Sequence, residues 1–149
     1  VAVFGAFGYE LDLARLSKEE REIVKEQIRF VKKYRKLIHT GNFYRLLSPF
    51  EGNFTAWMVV SGDKKQAIVA YFKTLNDVNR EFCRLQLKGL DEGTVYQMTE
   101  EGGDNGCFFG SELMNIGMVT TDASAGEVPA DMAPCSDFWS RLVVLNAKE

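Results

Sequence analysis

With 149 residues the chain is long enough for one domain with its own core, or for a small domain joined to a remnant of another. Apolar residues make up 46% and charged residues 26%, the balance of an ordinary globular protein, and a net charge of −3 leaves no basic footprint for nucleic acid or an anionic membrane. No run approaches the ~18 apolar residues of a membrane span, so neither nucleic acid nor a membrane is expected as a partner.

The chain opens on Val1, Val3, Phe4 and Phe7, a short β-prone run in which Gly5 and Gly8 let the backbone bend or be approached closely. Val1 falls inside this run rather than after an initiator methionine, so the chain is expected to begin within a longer protein. Ser17 and Glu20 form a Ser-x-x-Glu capping box. Behind it Ile23, Val24, Ile28, Val31, Tyr34, Leu37 and Ile38 recur at helical spacing, with acidic residues mostly early and basic ones late. The spacing predicts a helix from Ser17 to His39, about 35 Å long, stopped at Thr40-Gly41. One strand with its helix is not a domain, and residues 1–41 read as the last piece of an α/β barrel.

From Phe43 onward the period changes to nearly two. Phe43–Leu47 is a short apolar run closed by Ser48-Pro49. Phe54–Ser61 and Gln66–Lys73 read as a hairpin about the turn Ser61-Gly62-Asp63-Lys64. Phe82, Leu85 and Leu87 mark a further strand, and Thr94–Thr99 the next. Glu100–Gly106 reads as a polar, glycine-rich loop, Ser111–Gly117 fits either a strand or a helical turn, and Thr120–Cys135 reads as a loop of small residues. Phe138–Asn146 is a strong terminal strand. Short strands and turns without a second long helix predict a mainly β fold, an antiparallel β-sandwich over 42–149.

Chemistry-bearing motifs are nearly absent. There is no phosphate-binding glycine loop, nucleophile elbow or HExxH. Asp104-Asn105-Gly106 has only part of a calcium loop and reads as a turn. Asn53-Phe54-Thr55 is a glycosylation sequon, which without a secretion signal reads as accidental. His39, the one histidine, sits where a helix C-terminus favours a cation. Glu10 and Asp12 are the carboxylates nearest a strand end, where barrel enzymes keep their chemistry, but glycosidic hydrolysis needs two carboxylates about 5 to 10 Å apart and no convincing second one is present. Cys83, Cys107 and Cys135 are odd in number and widely spaced, which reads as free thiols in a reducing compartment, hence a cytoplasmic location. Should the sandwich bind sugar directly, Trp57, Tyr71, Trp139 and Phe108-Phe109 are the candidate platforms, though tryptophans in apolar strands usually face a core.

Several segments in series resemble one family. Phe4–Leu13 followed by Leu16-Ser17-Lys18-Glu19-Glu20 resembles the end of the catalytic barrel in glycoside hydrolase family 36 α-galactosidases. Phe43–Pro49 and Ala56–Ser61 look like the opening of that family's C-terminal β-domain, Gly110–Gly117 resembles a signature late in it, and Phe138–Leu142 its closing strand.

The resemblance implies a parent enzyme that hydrolyses terminal α-1,6-linked galactose, as in melibiose and raffinose, with retention. It implies a nucleophile aspartate and an acid/base aspartate on barrel strands earlier than the one that starts this chain. Neither motif is present, so the chain is expected to hold no catalytic residue and no metal, to need no cofactor, and to be inactive alone. No substrate-binding residue can be carried over. Its expected partners are the parent catalytic barrel and further copies in a homo-oligomer, and its expected role is structural first, oligomer contact second and sugar binding last.

Overall fold

In the computed structural model the described residues are 2–10, 12–75, 84–100, 103–120 and 137–148. The chain divides into two compact units, Val1–Gly41 and Asn42–Glu149.

In the first unit a 3-10 turn, Ala2–Phe4, leads to a second at Leu13–Arg15, where Asp12 caps by accepting from the Ala14 amide at 3.0 Å. No strand forms among its described residues, although the opening run is β-prone. A lone strand has no neighbour to take its backbone hydrogen bonds, and a tight turn satisfies some of them locally. Helix α1, Lys18–Thr40, then begins with the capping box complete: Ser17 Oγ accepts from the Glu20 amide at 3.1 Å, and Glu20 Oε2 accepts from the Ser17 amide at 2.8 Å. The Gly41 amide donates to Leu37 O at 2.8 Å with φ at −77°, so the helix stops without a left-handed residue. Tyr34 and Leu37 are its buried residues, and Phe30 packs a tilted ring on Tyr34 at 4.8 Å. Replacing Ser17 by alanine removes one side of the box and is expected to cost about 1 kcal/mol. Amide exchange in the first turn of α1 checks this, and unchanged protection there would contradict it.

The second unit is built on a six-stranded antiparallel sheet. Its strands are β1 (Asn42–Leu47), β2 (Phe54–Val60), β3 (Gln66–Lys73), β5 (Val95–Glu100), β6 (Gly103–Phe109) and β8 (Trp139–Ala147), in the order β1-β2-β3-β8-β5-β6. β4 (Arg84–Leu85) and β7 (Met118–Val119) form a separate two-stranded ribbon, and helix α2 (Gly110–Asn115) leads into β7. The expected mainly β, antiparallel class holds, with a short second layer. Register explains the core: Met58 faces Val69, which faces Val143, while Val60 faces Ala67, which faces Leu145. With period two these side chains share one face of the sheet. Leu85, Leu87, Leu90, Leu113 and Met118 from the ribbon, α2 and their connections join them in one buried cluster. Two contacts pin this cover: the Lys88 amide donates to Met58 Sδ at 3.2 Å, and the Leu87 amide to Leu113 O at 3.0 Å. The other face is also apolar, with Val59, Ile68 and Ala70 fully buried.

Two segments differ from the pattern reading and one open alternative is resolved. Within the expected loop Glu100–Gly106, Glu100 ends β5 and Gly103–Gly106 open β6, which pairs with β5 across a bulge between Gln97 and Thr99, while 101–102 lie outside the described residues. A polar, glycine-bearing segment serves at a sheet edge, where the ladder comes from the backbone and apolar side chains would invite association. The ambiguous Ser111–Gly117 segment takes the helical alternative, with α2 running over Gly110–Asn115. Of the strand expected at Phe82, Leu85 and Leu87, the described residues form β4 at Arg84–Leu85, Leu87 lies beyond it, and Phe82 lies outside the described residues.

The β2–β3 turn is held by Asp63, whose Oδ1 accepts from Ser61 Oγ at 2.6 Å and from the Lys65 amide at 3.1 Å. The hydrogen bond from the Ser61 hydroxyl, then that from the Lys65 amide, keep this carboxyl below its ordinary range. Tyr96 reaches the same turn from β5: its buried hydroxyl donates to Lys64 O at 2.7 Å and accepts from the Asp91 amide at 3.0 Å. Burial raises the pKa of that hydroxyl. With the folded value above the unfolded one, the unfolded chain loses its proton first. Stability is then full below about pH 10 and falls as pH rises through the folded pKa. Tyr96→Phe is expected to lower stability by about 1–2 kcal/mol at neutral pH and to flatten the decline above pH 10. Denaturant midpoints from pH 7 to 11 check both, and identical curves for the two proteins would contradict it.

Candidate functional site

In the first unit the segment 3–9 lies along α1 and encloses a cavity of about 580 Å³ lined by Phe7, Tyr9, Ile28, Val31, Arg35 and His39 among others. Tyr9 reaches Gln27 by a short hydroxyl–amide hydrogen bond. His39 is exposed in the last turn of α1. Of the two candidate carboxylates, Asp12 is engaged as a cap and pairs with Arg15 at 3.4 Å, and Glu10 is exposed; neither lines this cavity.

The second unit opens a cavity of about 300 Å³ at one end of the sheet, lined by Leu47, Ser48, Glu51, Phe54, Tyr71 and Arg84 among others. Glu51 is the single carboxylate in its lining. Neither cavity therefore brings together the two carboxyl groups that glycosidic hydrolysis needs. Among the described residues no group of three or more His, Cys, Asp or Glu side chains could hold a metal. Asp104-Asn105-Gly106 belongs to β6 rather than to a turn, and Cys83 and Cys135 lie outside the described residues, while Cys107 is an exposed free thiol.

The aromatic candidates are mostly committed to packing. Tyr71 is 2% exposed, with Phe54 stacked at 5.8 Å and Trp139 edge-on at 6.0 Å. Lys73, also buried, places its Nζ 6.0 Å from the Trp139 ring, a cation–π distance. Trp57 sits on the opposite face of the sheet against Phe72 at 4.7 Å. Phe108 is half-buried, which leaves Phe109 as the one strongly exposed ring of the five candidates. Asn53 and Phe54 of the sequon are half-buried where the loop enters β2, and Asn53 O accepts from the Thr74 amide at 2.9 Å.

The segment Gly110–Gly117 proves to be a packing device. A Cβ at Gly110 would stand 1.9 Å from Asp91 O, and one at Gly117 would stand 2.9 Å from the Leu85 carbonyl. Gly117 also has φ of +88°, a left-handed value that favours glycine. The two glycines let α2 lie directly on the 91–94 turn and on β4, and the Gly110 and Ser111 amides donate to Thr94 O and Glu92 O. Sequence reading missed the ion pair that ties the layers. The Arg141 guanidinium meets Glu100 with two hydrogen bonds, one of them at 3.0 Å from Nη2, and donates through Nη1 to Val119 O at 2.8 Å. The pairing of β5 with β8 is what brings Glu100 beside Arg141, and no local pattern carries that signal.

Comparison with known proteins accounts for an arrangement rich in packing and poor in chemistry. Residues 1–41 match the family model described as Melibiase, and residues 54–145 match Glycosyl hydrolase family 36 C-terminal domain. Alpha-galactosidase AgaA of Geobacillus stearothermophilus is 48% identical over 119 residues, 80% of this chain but 16% of its own length. The bifunctional alpha-galactosidase/sucrose kinase AgaSK of Mediterraneibacter gnavus is 38% identical over 78% of this chain and 12% of its own. Among solved structures, the GH36 alpha-galactosidase AgaB from Geobacillus stearothermophilus superposes with a TM-score of 0.80 at 42% identity, covering 98% of this chain and 18% of that one. The alpha-galactosidase from Lactobacillus brevis gives 0.82 at 38% identity over 99% of this chain and 19% of its own. The chain thus spans under a fifth of each relative it matches, and on the strength of the domain model that covers most of its sheet unit it belongs to glycosyl hydrolase family 36.

Proposed function

We propose that this chain is the supporting part of a longer α-galactosidase, whose two catalytic aspartates lie in the portion outside residues 1–149. The observation that carries the reading is a 98% coverage of this chain against 18% of the AgaB chain. The fold repeats a known α-galactosidase segment almost completely, while the cavities of that segment lack a carboxylate pair. The longer protein would cleave terminal α-galactosides by aspartate attack, a covalent galactosyl intermediate and hydrolysis. The sheet unit contributes packing area and no reacting group. Homo-oligomeric assembly belongs to the same proposal, and so does a cytoplasmic location, which the exposed free thiol of Cys107 supports.

The test is to express residues 1–149 and the longer reading frame side by side and follow galactose release from melibiose and raffinose. Activity is expected from the longer protein alone. Turnover by residues 1–149, or none by the longer protein, would overturn the reading. Sedimentation of the longer protein and cell fractionation examine the two accompanying proposals.

A further inference from the structure

We propose that the cleft between β1 and the segment 84–88 binds a neutral saccharide and holds it without reacting with it. The proposal uses the longer polypeptide of the reading above but not its activity. Two hollows meet in this cleft. The cavity of about 300 Å³ at the end of the sheet and a second of about 370 Å³ share the wall Leu47, Arg84 and Leu85. From that wall the first continues to Ser48, Glu51 and Phe54, and the second to Gln86, Lys88 and Ile116. Each reaches the size at which small-molecule pockets begin, about 300 Å³.

The walls are fixed from several sides. Gly89, with φ of +76°, lies so close on Tyr44 of β1 that a Cβ there would stand 2.5 Å from the ring. The Lys88 amide is tied to Met58 Sδ in β2 at 3.2 Å, which holds the same segment on the sheet. Gln86 Nε2 donates to Asn115 O at 2.8 Å and so orients its amide, and Arg84 Nη1 donates to Gly117 O at 3.4 Å. On the facing side, Ser48 Oγ accepts from the Phe50 amide and Ser48 O from the Glu51 amide, each at 3.3 Å. These two bonds shape the loop that carries Glu51. Walls arranged in advance spare a ligand part of the ordering cost of binding.

The chemistry of the lining selects the ligand. Arg84 and Lys88 bring donors only, Glu51 acceptors only, and Gln86 and Ser48 both. Leu47, Leu85 and Phe54 set apolar area beside them. A phosphate or sulfate is matched by donors alone, and the Glu51 carboxylate in the same lining repels it. A wholly apolar ligand would take water from the polar groups and return no hydrogen bonds. A saccharide ring meets both demands, because its hydroxyls donate and accept while its C–H face packs on apolar side chains. The charged and amide groups of the cleft are exposed, so each gives up hydration for what it gains. Affinity in the millimolar range is the expected result.

The experiment follows the methyl resonances of Leu47, Leu85 and Ile116 by NMR in the longer protein, titrated separately with galactose, maltotriose and inorganic phosphate. Neither sugar is an α-galactoside, so neither is consumed. At least one sugar is expected to move the three methyl groups saturably. Ile68, buried on the opposite face of the sheet, should stay still. Glu51→Ala and Lys88→Ala remove exposed side chains, one from each hollow, and each is expected to weaken that sugar about tenfold. Raising the salt concentration should leave the sugar affinity unchanged, since the ligand carries no charge. Methyl groups unmoved by both sugars would overturn the proposal, as would sugar shifts that neither variant weakens. Shifts produced by phosphate alone and fading with salt would assign the cleft to anions, which overturns it as well.

Discussion

Alanine at Gly110 is expected to prevent the sheet unit from folding stably, at a cost of about 3 kcal/mol or more. The new methyl would stand 1.9 Å from the carbonyl oxygen of Asp91, well inside contact distance. The opposing atom is backbone, so no rotamer change relieves the clash. The backbone also cannot withdraw cheaply, because the Gly110 amide is bonded to Thr94 O at 2.9 Å and the Ser111 amide to Glu92 O at 3.1 Å. Moving α2 away would open the cluster that Leu113 completes. Gly62→Ala is the matched control: its Cβ would meet nothing within 4 Å, and a change within about 0.5 kcal/mol is expected. Urea unfolding followed by tryptophan fluorescence separates them, and equal midpoints would refute the packing account.

The second large effect is expected at Arg141. Its guanidinium is mostly buried and faces a Glu100 carboxylate that is also largely covered, in a two-bond arrangement that water does not easily replace. Arg141→Leu strands that carboxylate and frees Val119 O, and is expected to cost about 3–4 kcal/mol. Glu100→Leu should cost a similar amount by stranding the guanidinium. The double replacement is expected to cost much less than the sum, since it removes both charges together. A double-mutant cycle in urea measures this directly. Strict additivity would mean that the pair contributes nothing as a pair.

Legibility in the sequence followed how local each determinant is. The capping box at Ser17 and Glu20 and the 3.6-residue stripe behind it are set within one segment, and α1 begins at Lys18 as the pattern implies. The turn at Ser61–Lys64 is equally local, because Asp63 makes it by bonding to residues two positions away on either side. Segment 103–109 was opaque because its place in the sheet depends on β5 and not on its own side chains. The opening run shows the opposite case: Val3 and Phe4 favour a strand, but strand structure needs a neighbour that this unit does not contain. For the site, the resemblance carried in Gly110–Gly117 was readable as a family mark, while its physical purpose was not. The clash partner at Asp91 lies about twenty positions away and is brought near only by the fold. Motifs that hold metals, phosphates or nucleophiles have strict spacings, and none occurs in the sequence.

The strand order also governs how this unit assembles as it is synthesised. The β2–β3 and β5–β6 hairpins emerge from the ribosome as two half-sheets that share no ladder, because β8 lies between β3 and β5 and is translated after both. Until Trp139–Ala147 appears, each half presents an open edge beside apolar residues such as Val69 and Met98. Such edges recruit other nascent chains, so a stalled or shortened translation product should aggregate rather than fold in part. Closure is a single late event in which one strand completes two ladders and lets Arg141 reach Glu100.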